Sequence, residues 1–320
     1  MKALKTMQKS LKWMLFLLVC VVIAAAVLGG LFIKNKLDER AARQAEYEQA
    51  LEEKADEITL TFLPGNSIFT ARRMLLNRGF SEEEVEAAFS KQYGAMTRLG
   101  RPTSLTGVTA SQVEGAAAML GAGNVSIEGF LFPETINFFA TASVETIVGR
   151  MASELERAVE REGLVAKFGA QRLTFYEGLI LASIVEAEIG GTHEDARAIA
   201  AIFYNRLRAG WTLGADATTL YAANMAGLPI NNADGTPNRA ILGLDSPWNT
   251  RHAARTGLPP TPIGSPSLPA LIATADPDLA NYQGYFYFLT GDSGATYFGR
   301  TEAEHQNNIR EYCQTRCARW

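Results

Sequence analysis

The stretch LILASIVEAE, residues 179–188, decides how this chain is read. Its residues up to Val185 are apolar except Ser183, a pattern that predicts a helix running through a core rather than along a surface. Thr174 and Glu177 stand at capping-box spacing, which starts the helix just before Phe175, and Gly190-Gly191 gives it a stop. Glu186 then falls in the last turn, beside apolar neighbours and the negative end of the helix dipole. Both influences disfavour the ionised form, so both are expected to raise its pKa. A carboxyl that keeps its proton near neutral pH is what glycosidic-bond cleavage needs. The plainer alternative is a helix-terminal glutamate that only reaches solvent.

The rest of the composition narrows the function classes. At 320 residues the chain has room for about two domains. Its 47% hydrophobic and 20% charged residues are those of a globular protein. A net charge of −4 argues against a general nucleic-acid binder. No phosphate-binding loop, dinucleotide fingerprint or zinc-protease motif occurs: His193-Glu194 begins like one, but Arg197 stands where the second histidine belongs. With three unclustered histidines (His193, His252 and His305), neither a metal nor another cofactor is expected.

The N-terminus departs from this ordinary composition. Trp13 to Ile33 is a run of 21 uncharged residues, long enough to cross a bilayer as a helix and longer than the apolar core of a cleaved signal peptide. Lys2, Lys5, Lys9 and Lys12 precede it and favour a cytoplasmic N-terminus, although Lys34, Lys36, Arg40 and Arg43 weaken the asymmetry. The expectation is one uncleaved anchor in the cell membrane with the remainder outside the cytoplasm. Cys20 has a poor lipoprotein context, since Val19 precedes it. Cys313 and Cys317 are too few for zinc and are open to either reading, a disulfide or two free thiols.

Five regions follow: a tail (1–12), the anchor (13–33), a charged helical stalk (34–56), a small module with its linker (57–124) and a larger domain (125–320). The class is α+β, with the acid at the end of a buried helix of the larger domain. Within the module, residues 58–63 alternate as a strand, Pro64-Gly65-Asn66 turns, Ser67 caps a helix to Asn77, and Ser81 opens another. In the larger domain, Val144–Glu162 reads as an amphipathic helix. A further helix runs from about Asp195 to Ala209, capped by Thr192 and ended by Gly210. Residues 211–267 are too long for a passive connector and suggest a cleft wall. Strands near 285–289 and 295–298 precede a final helix that begins near Thr301.

An ordered series of blocks carries a family resemblance: EGFLFPET at 128–135, LASIVEAE at 181–188, FYNRL at 203–207, LGADATTLYA at 213–222, SPWNT at 246–250, GLPPTPIGSPS at 257–267, YFYFL at 285–289 and TEAEHQNN at 301–308. Together they resemble the MltG (YceG-like) endolytic murein transglycosylases, and the strand-turn-helix at 58–80 resembles that family's LysM-like module. Gly214, Ala215, Ala217, Thr261, Ser265 and Thr296 depart from the family pattern.

The resemblance implies cleavage of the β-1,4 bond between N-acetylmuramic acid and N-acetylglucosamine in peptidoglycan glycan strands, leaving a 1,6-anhydro ring. It also implies action on nascent strands beside penicillin-binding synthases. One carboxyl suffices, because the C6 hydroxyl of the sugar is the nucleophile. The family match places that acid on Glu186. Glu188, two residues on, points to nearly the opposite face and is either a supporting residue or a solvated helix end, while Glu128 either supports the cleft or shapes a turn. Amides and hydroxyls suited to a sugar chain come from Asn205, Asp216, Thr218, Tyr221, Ser246, Asn249 and Thr250, while Trp248 either stacks on a sugar or fills core. The alternatives are a hydrolytic muramidase and a non-catalytic peptidoglycan-binding scaffold.

Overall fold

The computed structural model describes residues 28, 31–46, 57–99, 126–189 and 194–317. The chain divides into two compact units, Met1–Ile58 with Asn137–Thr141, and Thr59–Ile136 with Ala142–Trp320. In the first, residues 31–46 are helical and exposed along their length. Among the described residues no helix is long and apolar enough to cross a membrane. The Trp13–Ile33 run lies almost wholly outside them.

Strand β1 (Glu57–Thr61) pairs with β2 (Thr135–Phe139). Helix α1 (Ile68–Asn77) follows the turn at Pro64-Gly65-Asn66, and α2 (Glu82–Ser90) starts with the capping box Ser81/Glu84. The Ser67 side chain makes no capping bond, contrary to expectation. The first amide of α1 donates instead to a carboxylate distant in sequence, Glu128. A short α3 (Gly94–Leu99) and the long α4 (Val144–Glu162) follow, with α2 and α3 packed on the apolar face of α4.

Helix α6 (Phe175–Glu188) is the core element. Its capping box of Thr174 and Glu177 is formed, and every residue from Phe175 to Val185 is buried. Around it pack α5 (Leu164–Ala170), α7 (Ala196–Arg208), α8 (Asp216–Met225) and α9 (Leu268–Ala275). Gly190, Gly191 and Thr192, assigned above as a stop and a cap, lie outside the described residues. The hairpin β3 (Tyr287–Thr290) and β4 (Thr296–Gly299) is antiparallel, with Phe288 opposite Phe298, and α10 (Glu302–Tyr312) packs on it behind the Thr301 cap. The structure closes the open question about the thiols, because Cys313 and Cys317 form a disulfide. Residues 211–267 are not purely loop: α8 and a 3-10 turn, Arg239–Gly243, interrupt them.

Candidate active site

The two carboxylates that end α6 meet different surroundings, as an offset of about 200° along a helix demands. Glu186 lies against the start of α9. Its Oε2 accepts from the Ser267 backbone N–H at 2.9 Å and from the Ser267 hydroxyl at 2.5 Å. Ser267 also caps α9, its Oγ accepting from the Ala270 N–H at 3.2 Å. The turn at Gly65 adjoins the Glu186 side chain at its Cγ and is tied to the proline-rich block by Gly65 N–H to Ser265 O (2.8 Å) and Ser265 N–H to Asn66 O (2.9 Å). The approach is so close that a Cβ on Gly264 would stand 2.6 Å from the Gly65 carbonyl oxygen. Glu186 therefore fastens α6 to α9. The apolar wall expected around it is replaced by hydrogen-bond donors at the positive end of another helix.

Glu188 faces a cavity of about 270 Å³ whose lining includes Arg206, Asp216, Arg251, His305 and Cys317. Burial pushes its carboxyl up to about 7; the Asp216 charge adds to this, and Arg206 and Arg251 oppose it. The cavity is held open by groups with fixed partners. Arg206 Nε donates to the Phe286 carbonyl at 2.8 Å, and its Nη1 donates to the Leu213 carbonyl. Arg251 pairs with Asp216, the first residue of α8. His305 stacks on Tyr287, with ring centroids 5.3 Å apart, and its buried Nδ1 has no hydrogen-bond partner among the described residues. Burial lowers the pKa of this histidine, which favours a neutral ring near pH 7.

Most of the residues expected to bind sugar make internal hydrogen bonds. Thr218, Asn249 and Thr250 are buried. Thr218 Oγ1 donates to the Ala215 carbonyl at 2.6 Å and lies 2.8 Å from Thr250 Oγ1, which accepts from the Ala215 N–H at 3.1 Å. Asn249 donates to the Leu242 and Leu244 carbonyls and accepts from the Thr219 hydroxyl at 2.8 Å. These bonds zip residues 246–251 onto the start of α8. The Ser246 carbonyl accepts from the Asn249 N–H and shapes that turn. Asn205 donates to the Tyr282 and Tyr285 carbonyls, at 2.8 and 2.9 Å. Of the seven, Asp216 alone lines the Glu188 cavity.

Tyr221 and Glu128 form a separate buried pair. The Tyr221 hydroxyl donates to Glu128 Oε2 at 2.9 Å, and both Glu128 oxygens lie 3.2 Å from the Ile68 amide nitrogen. Burial pushes Glu128 up to about 8. It is not among the residues lining the Glu188 cavity, and its bonds tie the start of α1 to α8. Trp248 is core filler, packing 6.1 Å from Tyr221, with its Nε1 donating to Thr261 Oγ1 at 2.9 Å.

Sequence reasoning missed Arg206, Arg251 and His305. All three lie inside or beside blocks already singled out, but adjacent helical residues point about 100° apart. Asn205 therefore faces the 282–285 turn while Arg206 faces the cavity. No cluster of ligands suited to a metal occurs among the described residues.

Comparison with known proteins identifies the family. A family model described as the YceG-like family matches residues 21–311. The endolytic murein transglycosylase of Streptococcus pneumoniae serotype 2 is 29% identical over 191 residues, covering 59% of this chain and 33% of that protein. The endolytic murein transglycosylase of Bacillus subtilis strain 168 is 31% identical over 191 residues, covering 59% of this chain and 49% of that one. The matched segment thus spans a third to a half of these relatives. A solved yceG-like protein of Listeria monocytogenes shares the fold, with a TM-score of 0.59 at 24% identity over 78% of this chain and 75% of that one. With the family match running from before the first described helix to the last, the chain belongs to the YceG-like family.

Proposed function

We propose that this protein is a lytic transglycosylase that cuts the β-1,4 bond between N-acetylmuramic acid and N-acetylglucosamine within peptidoglycan strands, with Glu188 as its acid and base. The observation that carries the reading is a carboxyl held near pH 7 inside a cavity, beside the Asp216–Arg251 pair. Protonated Glu188 gives its proton to the glycosidic oxygen as the bond to C1 breaks. The resulting carboxylate then takes the proton of the muramoyl C6 hydroxyl, whose oxygen bonds to C1. Atoms balance without water, and the carboxyl ends as it began. Names of relatives support the reaction class. The uncharged run at 13–33 supports one membrane anchor with the active site outside the cytoplasm. The 58–80 segment supports a LysM-like module, and the same reading has the protein end nascent strands beside penicillin-binding synthases.

The test is mass spectrometry of digested sacculi. The expected product carries an anhydromuramoyl end; a reducing end about 18 Da heavier, the mass of one added water, would establish hydrolysis instead. Glu188→Gln is expected to abolish cleavage while Glu186→Gln retains it. The reverse pattern returns the role to Glu186, and cleavage surviving both changes sinks the mechanism.

A further inference from the structure

Trp211 is left in the open beside the acid cavity, 42% exposed, whereas Trp248 is buried. Leaving so much indole in water forgoes stabilisation that burial would supply. Its position is nonetheless fixed. Gly210, at φ 69°, takes the left-handed turn that ends α7, and a side chain there would be strained. The Gly210 N–H bonds the Leu207 carbonyl at 3.2 Å and the Trp211 N–H bonds the Arg206 carbonyl at 2.9 Å, closing the helix end in a Schellman pattern. The indole packs against Phe286, with ring centroids 4.7 Å apart, and against Tyr287 at 6.0 Å.

This fixed aromatic plate lines a second cavity, of about 460 Å³, with Thr212, Glu302 and Gln306 as polar neighbours. Arg206, Gly214, Arg251 and His305 line both this cavity and that of Glu188, so the two adjoin. A rigid aromatic surface with a hydrogen-bonding rim suits a pyranose ring: its C–H face covers the indole while its hydroxyls meet the rim. We propose that Trp211 is the platform of a sugar-binding subsite adjoining Glu188, holding one pyranose of the strand next to the bond that is cut. The proposal rests on the glycan-cleaving function above.

The experiment measures calorimetric binding of peptide-free glycan strands, prepared from sacculi with an amidase, to the full-length Glu188→Gln protein. Adding Trp211→Ala is expected to weaken binding about five- to tenfold, with Trp211→Phe recovering part of the loss. With Glu188 intact, Trp211→Ala is expected to raise KM while kcat holds. If the alanine variant melts early, Trp211→Phe carries the measurement, with about two- to threefold weakening expected. Binding unchanged within twofold in both variants overturns the platform and leaves the proposed activity standing. A parent protein that neither binds nor cleaves strands overturns both.

Discussion

Under the proposed mechanism, the titration of Glu188 sets an upper pH limit on cleavage. Only its protonated form can donate to the glycosidic oxygen, and burial places its pKa at about 7. About nine-tenths of the molecules then hold the proton at pH 6, about half at pH 7 and about a tenth at pH 8. The value of kcat/KM, which reports the free enzyme, should fall with a midpoint near 7 and then about tenfold per pH unit. A glutamate near its ordinary value would place that midpoint more than two units lower. The neighbours supply signs that can be checked. Asp216 raises the Glu188 pKa and Arg251 lowers it, so Asp216→Asn should move the midpoint down and Arg251→Gln should move it up. Both charges are partly exposed, so solvent screening keeps each displacement below about one unit. The assay is the initial rate of anhydromuropeptide release from purified sacculi between pH 5 and 9 at constant ionic strength. A midpoint below pH 5.5, or both variants moving it the same way, would refute the assignment of Glu188.

Three further outcomes follow from the buried ties. Glu128 keeps its proton to about pH 8 in the folded protein but to about 4.5 once unfolded, so stability is full below about 4.5 and is lost as pH rises toward 8. Glu128→Gln should flatten that decline, worth on the order of 5 kcal/mol between those limits, in urea melts at pH 5 and 8; an unchanged slope would show that Glu128 does not hold its proton. Asn249→Ala leaves the Leu242 and Leu244 carbonyls and the Thr219 hydroxyl short of partners, and should cost about 1–3 kcal/mol in denaturant melts. Unchanged stability with a raised KM would instead return Asn249 to sugar binding. Ser267→Ala removes both the α9 cap and a donor to Glu186, and should lower stability by about 1–2 kcal/mol by the same measurement; a neutral result would deny Glu186 its fastening role.

The local elements were legible because their signals are local. Capping residues mark the starts of α2, α6 and α10 in the sequence itself, and the apolar run at 179–185 could only be a buried helix. Helices α8 and α9 were not legible. α8 follows Ala215, which offers no side-chain cap, so the polar, glycine-rich composition around it reads as loop. α9 is short, begins with a leucine-proline pair and is held by packing against α6 and α7. The polar blocks are ambiguous for a related reason. Amides and hydroxyls that suit a sugar equally suit backbone carbonyls, and only burial tells the two uses apart. Thr218, Asn249 and Thr250 bond inward.

By itself the sequence determined that a buried helix ends in two carboxylates, and that the blocks around it place the chain among glycan-cleaving relatives. It also determined that Glu186 and Glu188 point apart, since helical geometry needs no tertiary information. Which of them meets the cavity depended on what each face touches. Ser267 comes to Glu186 from 81 residues away, while Asp216 and Arg251 approach Glu188 from α8 and the loop beyond it. Those neighbours lie far along the chain, so the sequence of the helix could not show which carboxylate would face the cavity.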